Sequence, residues 1–234
     1  MRDATERIVL IHGLGCDARF WTPQVPALRP LVAELRAPNL PYHGGPAQDV
    51  PKSLQGLASW VARTQASGPA VLIGHSLGGM IALQIAHDSP ELVKGIALVD
   101  SFVHLGLSAA HLPGMFVQGR HGATRRWVEQ AREEIIGRMT QETYDAIWPS
   151  VRDFTAAPWL HEVSCPVMGI YGGRGLCGPD DARRLLAGLM LHRVAGPTSV
   201  VVVPEAGHFV NLECPDVVNE ALLAWLARSR SDDR

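Results

Sequence analysis

The feature that most constrains this chain is its rhythm. Short, largely apolar runs closed by glycine or proline alternate with segments of helical spacing. Arg7–Gly13, Leu31–Ala37, Ala70–Gly74, Val93–Asp100, Pro166–Gly172 and Ser199–Val203 read as strands. Runs that are apolar at successive positions suit strands buried on both faces, and such strands belong to parallel sheets. Helices are expected around Phe20–Leu28, over Ser53–Thr64, from Leu77 to about His87, near Asp180–Met190 and over Pro215–Ala227. Strand and helix in alternation put helices on both faces of the sheet. The fold class is therefore α/β, a mostly parallel sheet of about six strands flanked by helices.

One stretch breaks the rhythm. Residues 101–162 hold no convincing strand, but they carry a charged helical segment at Thr124–Met139 and scattered Phe102, Met115, Phe116, Trp127, Trp148, Phe154 and Trp159. They read as a small helical cap inserted within a single domain spanning 1–234, laid over the C-terminal edge of the sheet. The aromatic and apolar residues point to a largely apolar small-molecule substrate.

Composition excludes several function classes. With 47% hydrophobic and 19% charged residues and a net charge of −2, the chain lacks the basic footprint of a nucleic-acid binder. No apolar run approaches a bilayer's thickness, and the polar start carries no secretory signal. Four cysteines without a C-x-x-C pair fit reduced thiols in a cytoplasm better than disulfides or zinc. No metal or cofactor is expected, no membrane partner is expected, and a homodimer stays open.

Gly74-His75-Ser76-Leu77-Gly78-Gly79 lies between a strand and a helix. G-x-S-x-G in that context is a nucleophile elbow. The sharp turn strains the serine backbone, small neighbours relieve the crowding, and the hydroxyl emerges at a helix N-terminus. A serine hydroxyl needs a base. Of ten histidines, His208 stands on the loop after the last strand, at the same C-terminal edge as Ser76. His75 should point away from Ser76, and His12 should orient loop backbone. His43, His104, His111 and His161 either line a pocket or face water. An oxyanion hole needs two converging N–H donors. Leu77 offers one and Leu14, in His12-Gly13-Leu14-Gly15, the other, with Gly13 allowing close approach.

In order and context, these motifs resemble the α/β-hydrolase superfamily, and the chain resembles its compact esterase and lactonase branch. The resemblance implies a serine hydrolase with a catalytic triad, and it places a cap where residues 101–162 fall. It also implies a triad acid after the fifth strand, in the pattern Gly-x-x-Asp. This chain has Gly172-Gly173-Arg174-Gly175 there. Some relatives carry the acid one strand earlier, which points to Asp100. Asp180, Asp181 or a Ser76–His208 dyad remain open. Relatives often have glycine where Tyr42 stands; Tyr42 and the cap residue Phe102 are candidate substrate contacts. The leading expectation is hydrolysis of an ester, lactone or thioester through an acyl-enzyme. The alternatives are a lyase using the same Ser/His site, favoured by the glycine at 175, and a non-catalytic receptor.

Overall fold

The computed structural model describes residues 7–45, 49–65, 68–104, 139–174, 176 and 178–229. Six parallel strands form one sheet: β1 (Arg7–Ile11), β2 (Glu34–Arg36), β3 (Ala70–His75), β4 (Val93–Val99), β5 (Val167–Gly172) and β6 (Thr198–Val203). Their order is β2-β1-β3-β4-β5-β6. The α-helices among the described residues are α1 (Val25–Leu28), α2 (Leu54–Thr64), α3 (Leu77–Asp88), α4 (Gln141–Arg152), α5 (Pro179–Leu189), α6 (Val210–Glu213) and α7 (Pro215–Ser229).

The strand order explains where a site can form. From β1 the chain steps outward to β2; from β3 it steps the other way to β4. Loops leaving the C-terminal ends of β1 and β3 therefore diverge, and a crevice opens between them. Both the Gly13–Gly15 loop and Ser76 lie at that end.

Period-2 alternation sends strand side chains to two cores. Val9, Ile11, Leu72, Ile96 and Leu98 face Leu57, Val61, Ile81 and Ile85 of α2 and α3. Ile8, Leu10, Val71, Ile73, Ala97 and Val99 face Phe20, Trp21, Val218, Leu222 and Leu226. Fully burying an aliphatic side chain is worth about 1.5–3 kcal/mol, so these layers supply most of the rigidity on which the loops rest.

Some elements differ from expectation for identifiable reasons. β2 shrinks to three half-buried residues at the sheet edge, where Glu34 pairs with Arg7 at 2.7 Å and with Arg36 at 2.5 Å. The helix expected near Phe20–Leu28 divides at its prolines into a 3-10 turn, Ala18–Trp21, and the one-turn α1. The segment Thr124–Met139 lies outside the described residues apart from Met139. The described part of 101–162 holds a helix that the sequence reading did not single out. α4 is capped by Thr140, whose hydroxyl accepts from the Thr143 N–H at 3.2 Å. It meets α2 where Ser150 Oγ accepts the Leu54 N–H at 2.8 Å. An isolated antiparallel bridge joins His104 to Thr155.

Candidate active site

Ser76 follows β3 directly, with φ 50° and ψ −117°. A non-glycine residue held at positive φ costs about 1–3 kcal/mol, and surrounding structure must over-determine it. Here it does. The Ser76 N–H donates to Val99 O at 3.1 Å, and the Ser76 carbonyl accepts from Gly79 N–H at 3.0 Å and from Ser101 Oγ at 2.6 Å. The flanking glycines are steric necessities. A Cβ at Gly74 would lie 2.3 Å from the Gly78 backbone, and one at Gly78 would lie 2.0 Å from Ile11 O. One at Gly79 would meet Ser101 Oγ at 2.4 Å. The Ser76 side chain stays partly exposed at the head of α3.

Among the described residues, neither the Leu77 N–H nor the Leu14 N–H has a hydrogen-bond acceptor. The first follows from its position at the start of α3, where helical N–H groups lack partners. The Leu14 loop is shaped by a turn, Cys16 N–H to Gly13 O at 3.1 Å, and by Gly15 at φ 73°. Gly13 is packed so closely that a Cβ there would lie 3.3 Å from Ser76 Cβ and 2.7 Å from His75 Nδ1.

His208 is buried on the loop after β6, and its Nδ1 lies 2.5 Å from Asp100 Oδ2. A carboxylate only accepts, so Nδ1 carries the proton and donates. Asp100 follows β4 directly, with φ 45° and no exposed surface. Its backbone N–H donates to Ile170 O at 2.7 Å, and its Oδ1 accepts the Gly172 N–H at 3.0 Å. Burial pushes this carboxyl well above the usual carboxylate range; the Gly172 amide pulls it down and the Glu213 carboxylate raises it further. Donation from His208 satisfies the oxygen that burial would otherwise leave wanting a proton. The carboxylate against His208 Nδ1 is thus that of Asp100. Asp180 and Asp181 sit in the first turn of α5, 2.7 Å from Arg183 and 3.9 Å from Arg184 respectively.

The remaining sequence candidates take more modest places. The Tyr42 hydroxyl donates to Val50 O, and its φ of 66° explains why glycine suits this position. Phe102 is buried in the core, its ring 6.0 Å from that of Tyr171. His12 does orient loop backbone: Nδ1 donates to Gly13 O at 2.9 Å and Nε2 accepts the Leu40 N–H at 3.0 Å. Burial, with help from neighbouring His43, brings its pKa down to about 3, so it stays neutral.

Several residues that build the site were not singled out from sequence. Ser101 braces the elbow, and the Tyr171 hydroxyl donates to Ser101 O at 2.8 Å. Glu213 Oε2 accepts the Gly207 N–H at 3.1 Å and pairs with Arg174 at 2.7 Å. Arg174 also donates to Glu205 O. No motif announces such contacts, and in sequence Glu213 reads as an ordinary acidic residue before the last helix. Among the described residues no group of three or more His, Cys, Asp or Glu is arranged to hold a metal. No helix there is long and apolar enough to cross a membrane.

A family model described as "Alpha/beta hydrolase family" matches residues 8–221. The chain belongs to the α/β-hydrolase family. Within it, the chain is similar to the (E)-2-((N-methylformamido)methylene)succinate hydrolase of Acinetobacter baylyi, 26% identical with 94% of this chain and 90% of that one covered. It is also similar to a pimeloyl-[acyl-carrier protein] methyl ester esterase of Neisseria meningitidis, 28% identical over 89% of this chain and 88% of that one. The fold matches that of the Burkholderia xenovorans enol-lactonase, with a TM-score of 0.70 at 20% identity, covering 95% of this chain and 92% of that one. The expected fold and family are thus confirmed.

Proposed function

We propose that this α/β-hydrolase cleaves a small carboxylic ester, lactone or thioester through an acyl-enzyme on Ser76. The observation that carries the reading is the 2.5 Å contact between His208 Nδ1 and Asp100 Oδ2, at the edge of the sheet where Ser76 emerges strained and partly exposed. His208 Nε2 takes the Ser76 proton as the hydroxyl attacks the carbonyl carbon. Asp100 holds the imidazole in the Nδ1–H tautomer and stabilises the imidazolium. The Leu14 and Leu77 N–H groups, without acceptors among the described residues, receive the developing oxyanion. The imidazolium then protonates the leaving alcohol or thiol. Water, deprotonated by the same histidine, releases the acid and restores Ser76.

Relatives named as an esterase, a lactonase and a succinate-derivative hydrolase support acyl transfer on this scaffold. Asp100 against the His208 Nδ1 supports acyl transfer over elimination, which loses the glycine at 175 as its support. Residues 101–162 are read as the cap that shapes the acyl pocket. The partner is a small molecule, and the protein acts in the cytoplasm. Fluorophosphonate labelling tests the reading. The native protein should be labelled and should turn over short p-nitrophenyl esters, and Ser76→Ala should do neither. Labelling or turnover undiminished in Ser76→Ala would overturn it.

A further inference from the structure

His75 precedes Ser76, yet its ring faces the proposed base. Its Nε2 lies 2.9 Å from the His208 carbonyl oxygen, so Nε2 carries the proton and donates. The ring is buried among Phe20, His208 and Phe209, at centroid distances of 4.3, 4.7 and 5.7 Å. Its other nitrogen, Nδ1, is buried without a hydrogen-bond partner among the described residues, against Gly13. A leucine or phenylalanine would fill this space without stranding a polar atom. Packing therefore does not account for an imidazole here. What an apolar side chain would lose is the bond to His208.

We infer that His75 is a positioning residue, fixing the main chain of His208 so that its imidazole stays aligned between Asp100 and Ser76. The inference rests on the reading of His208 as the base. Glu213 holds the preceding residue, through the Gly207 N–H at 3.1 Å. The segment carrying His208 is thus clamped on both sides of its own side chain, once by a carboxylate and once by His75. The bond from His75 also ties that segment to the residue before Ser76 and so links the base loop to the elbow. Burial holds His75 well below the usual histidine range, with His208 adding to the effect, so no second charge competes with the imidazolium.

Side-chain reach supplies the test. A glutamine carboxamide nitrogen reaches about as far as imidazole Nε2, whereas an asparagine one reaches only about as far as Nδ1. His75→Asn and His75→Leu should lower kcat for a p-nitrophenyl ester about 10- to 100-fold, with KM changed less than about twofold. His75→Gln should recover kcat to within about threefold of the native protein. Wild-type kcat in the Asn and Leu variants, or a Gln variant as slow as the Asn one, would overturn the inference. A second readout does not depend on ester chemistry: the strongly deshielded proton of the His208–Asp100 bond in the NMR spectrum. It should persist in native and Gln proteins and vanish by exchange in Asn and Leu; persistence in all four overturns the inference. Turnover surviving Ser76→Ala would sink the hydrolase reading instead, and the resonance would still decide the role of His75.

Discussion

The two halves of the site are held by different physics. The elbow from Gly74 to Gly79 is fixed by backbone sterics: Ile11, Gly78 and Ser101 leave no room for a Cβ, and the main chain turns the only way it can. The base loop from Gly207 to Glu213 is fixed by side chains drawn from distant sequence. Asp100 holds the ring, His75 the carbonyl, and Glu213 with Arg174 the preceding amide. The difference teaches that a strained nucleophile is enforced by close packing around its backbone, while an aligned base is enforced by a network of side chains.

Single substitutions should separate the two. The largest expected effect is on the base side. Asp100→Asn keeps an oxygen for the Gly172 N–H but removes the acceptor that selects the Nδ1–H tautomer. Steady-state kinetics should show kcat down about 10³- to 10⁴-fold, with the melting transition little moved. A loss below tenfold would mean that the network does not govern the base.

Gly78→Ala should behave in the opposite sense, striking the frame more than the chemistry. Its Cβ would press on Ile11 O, so β1 and α3 must part. Denaturant titration should show a loss of about 1–3 kcal/mol or more. A variant as stable as the native protein would contradict the steric account of the elbow.

The loop bearing Leu14 gives a third, pH-dependent comparison. His12 has a folded pKa of about 3, against an ordinary value of 6.5. Its neutral form therefore contributes stability that is present above pH 6.5 and lost as pH falls from 6.5 toward 3. Over that window it accounts for a slope of about 1.4 kcal/mol per pH unit. His12→Gln should flatten the acid limb of a stability–pH curve by about that slope; an unchanged limb would show that His12 does not titrate on unfolding.

The same division decides what could be read from sequence. The elbow was legible because G-x-S-x-G records a steric requirement in adjacent letters. β1 and β3 to β5 were legible because burial on both faces leaves continuous apolar runs; β6, half-buried at the other edge of the sheet, was legible from its run of four valines. β2 was overextended, since an edge strand buries little and its pattern is diluted by Glu34 and Arg36. Asp100 was readable only by comparison with a family pattern, because an acid at a strand end looks like any loop-bonding aspartate. The orientation of His75 was read only in part. Nothing local to Gly74–Gly79 records that it reaches His208, 133 residues away. Ser101, Tyr171, Glu213 and Arg174 act through pairwise contacts that leave no periodic trace.

The most direct measurement of the central claim is the mass of the intact protein during turnover of an activated ester, followed by peptide mapping. A single added acyl group on the peptide containing Ser76, absent from the Ser76→Ala protein, is the predicted result. Steady turnover with no adduct at Ser76, or an adduct mapped to another residue, would contradict the account.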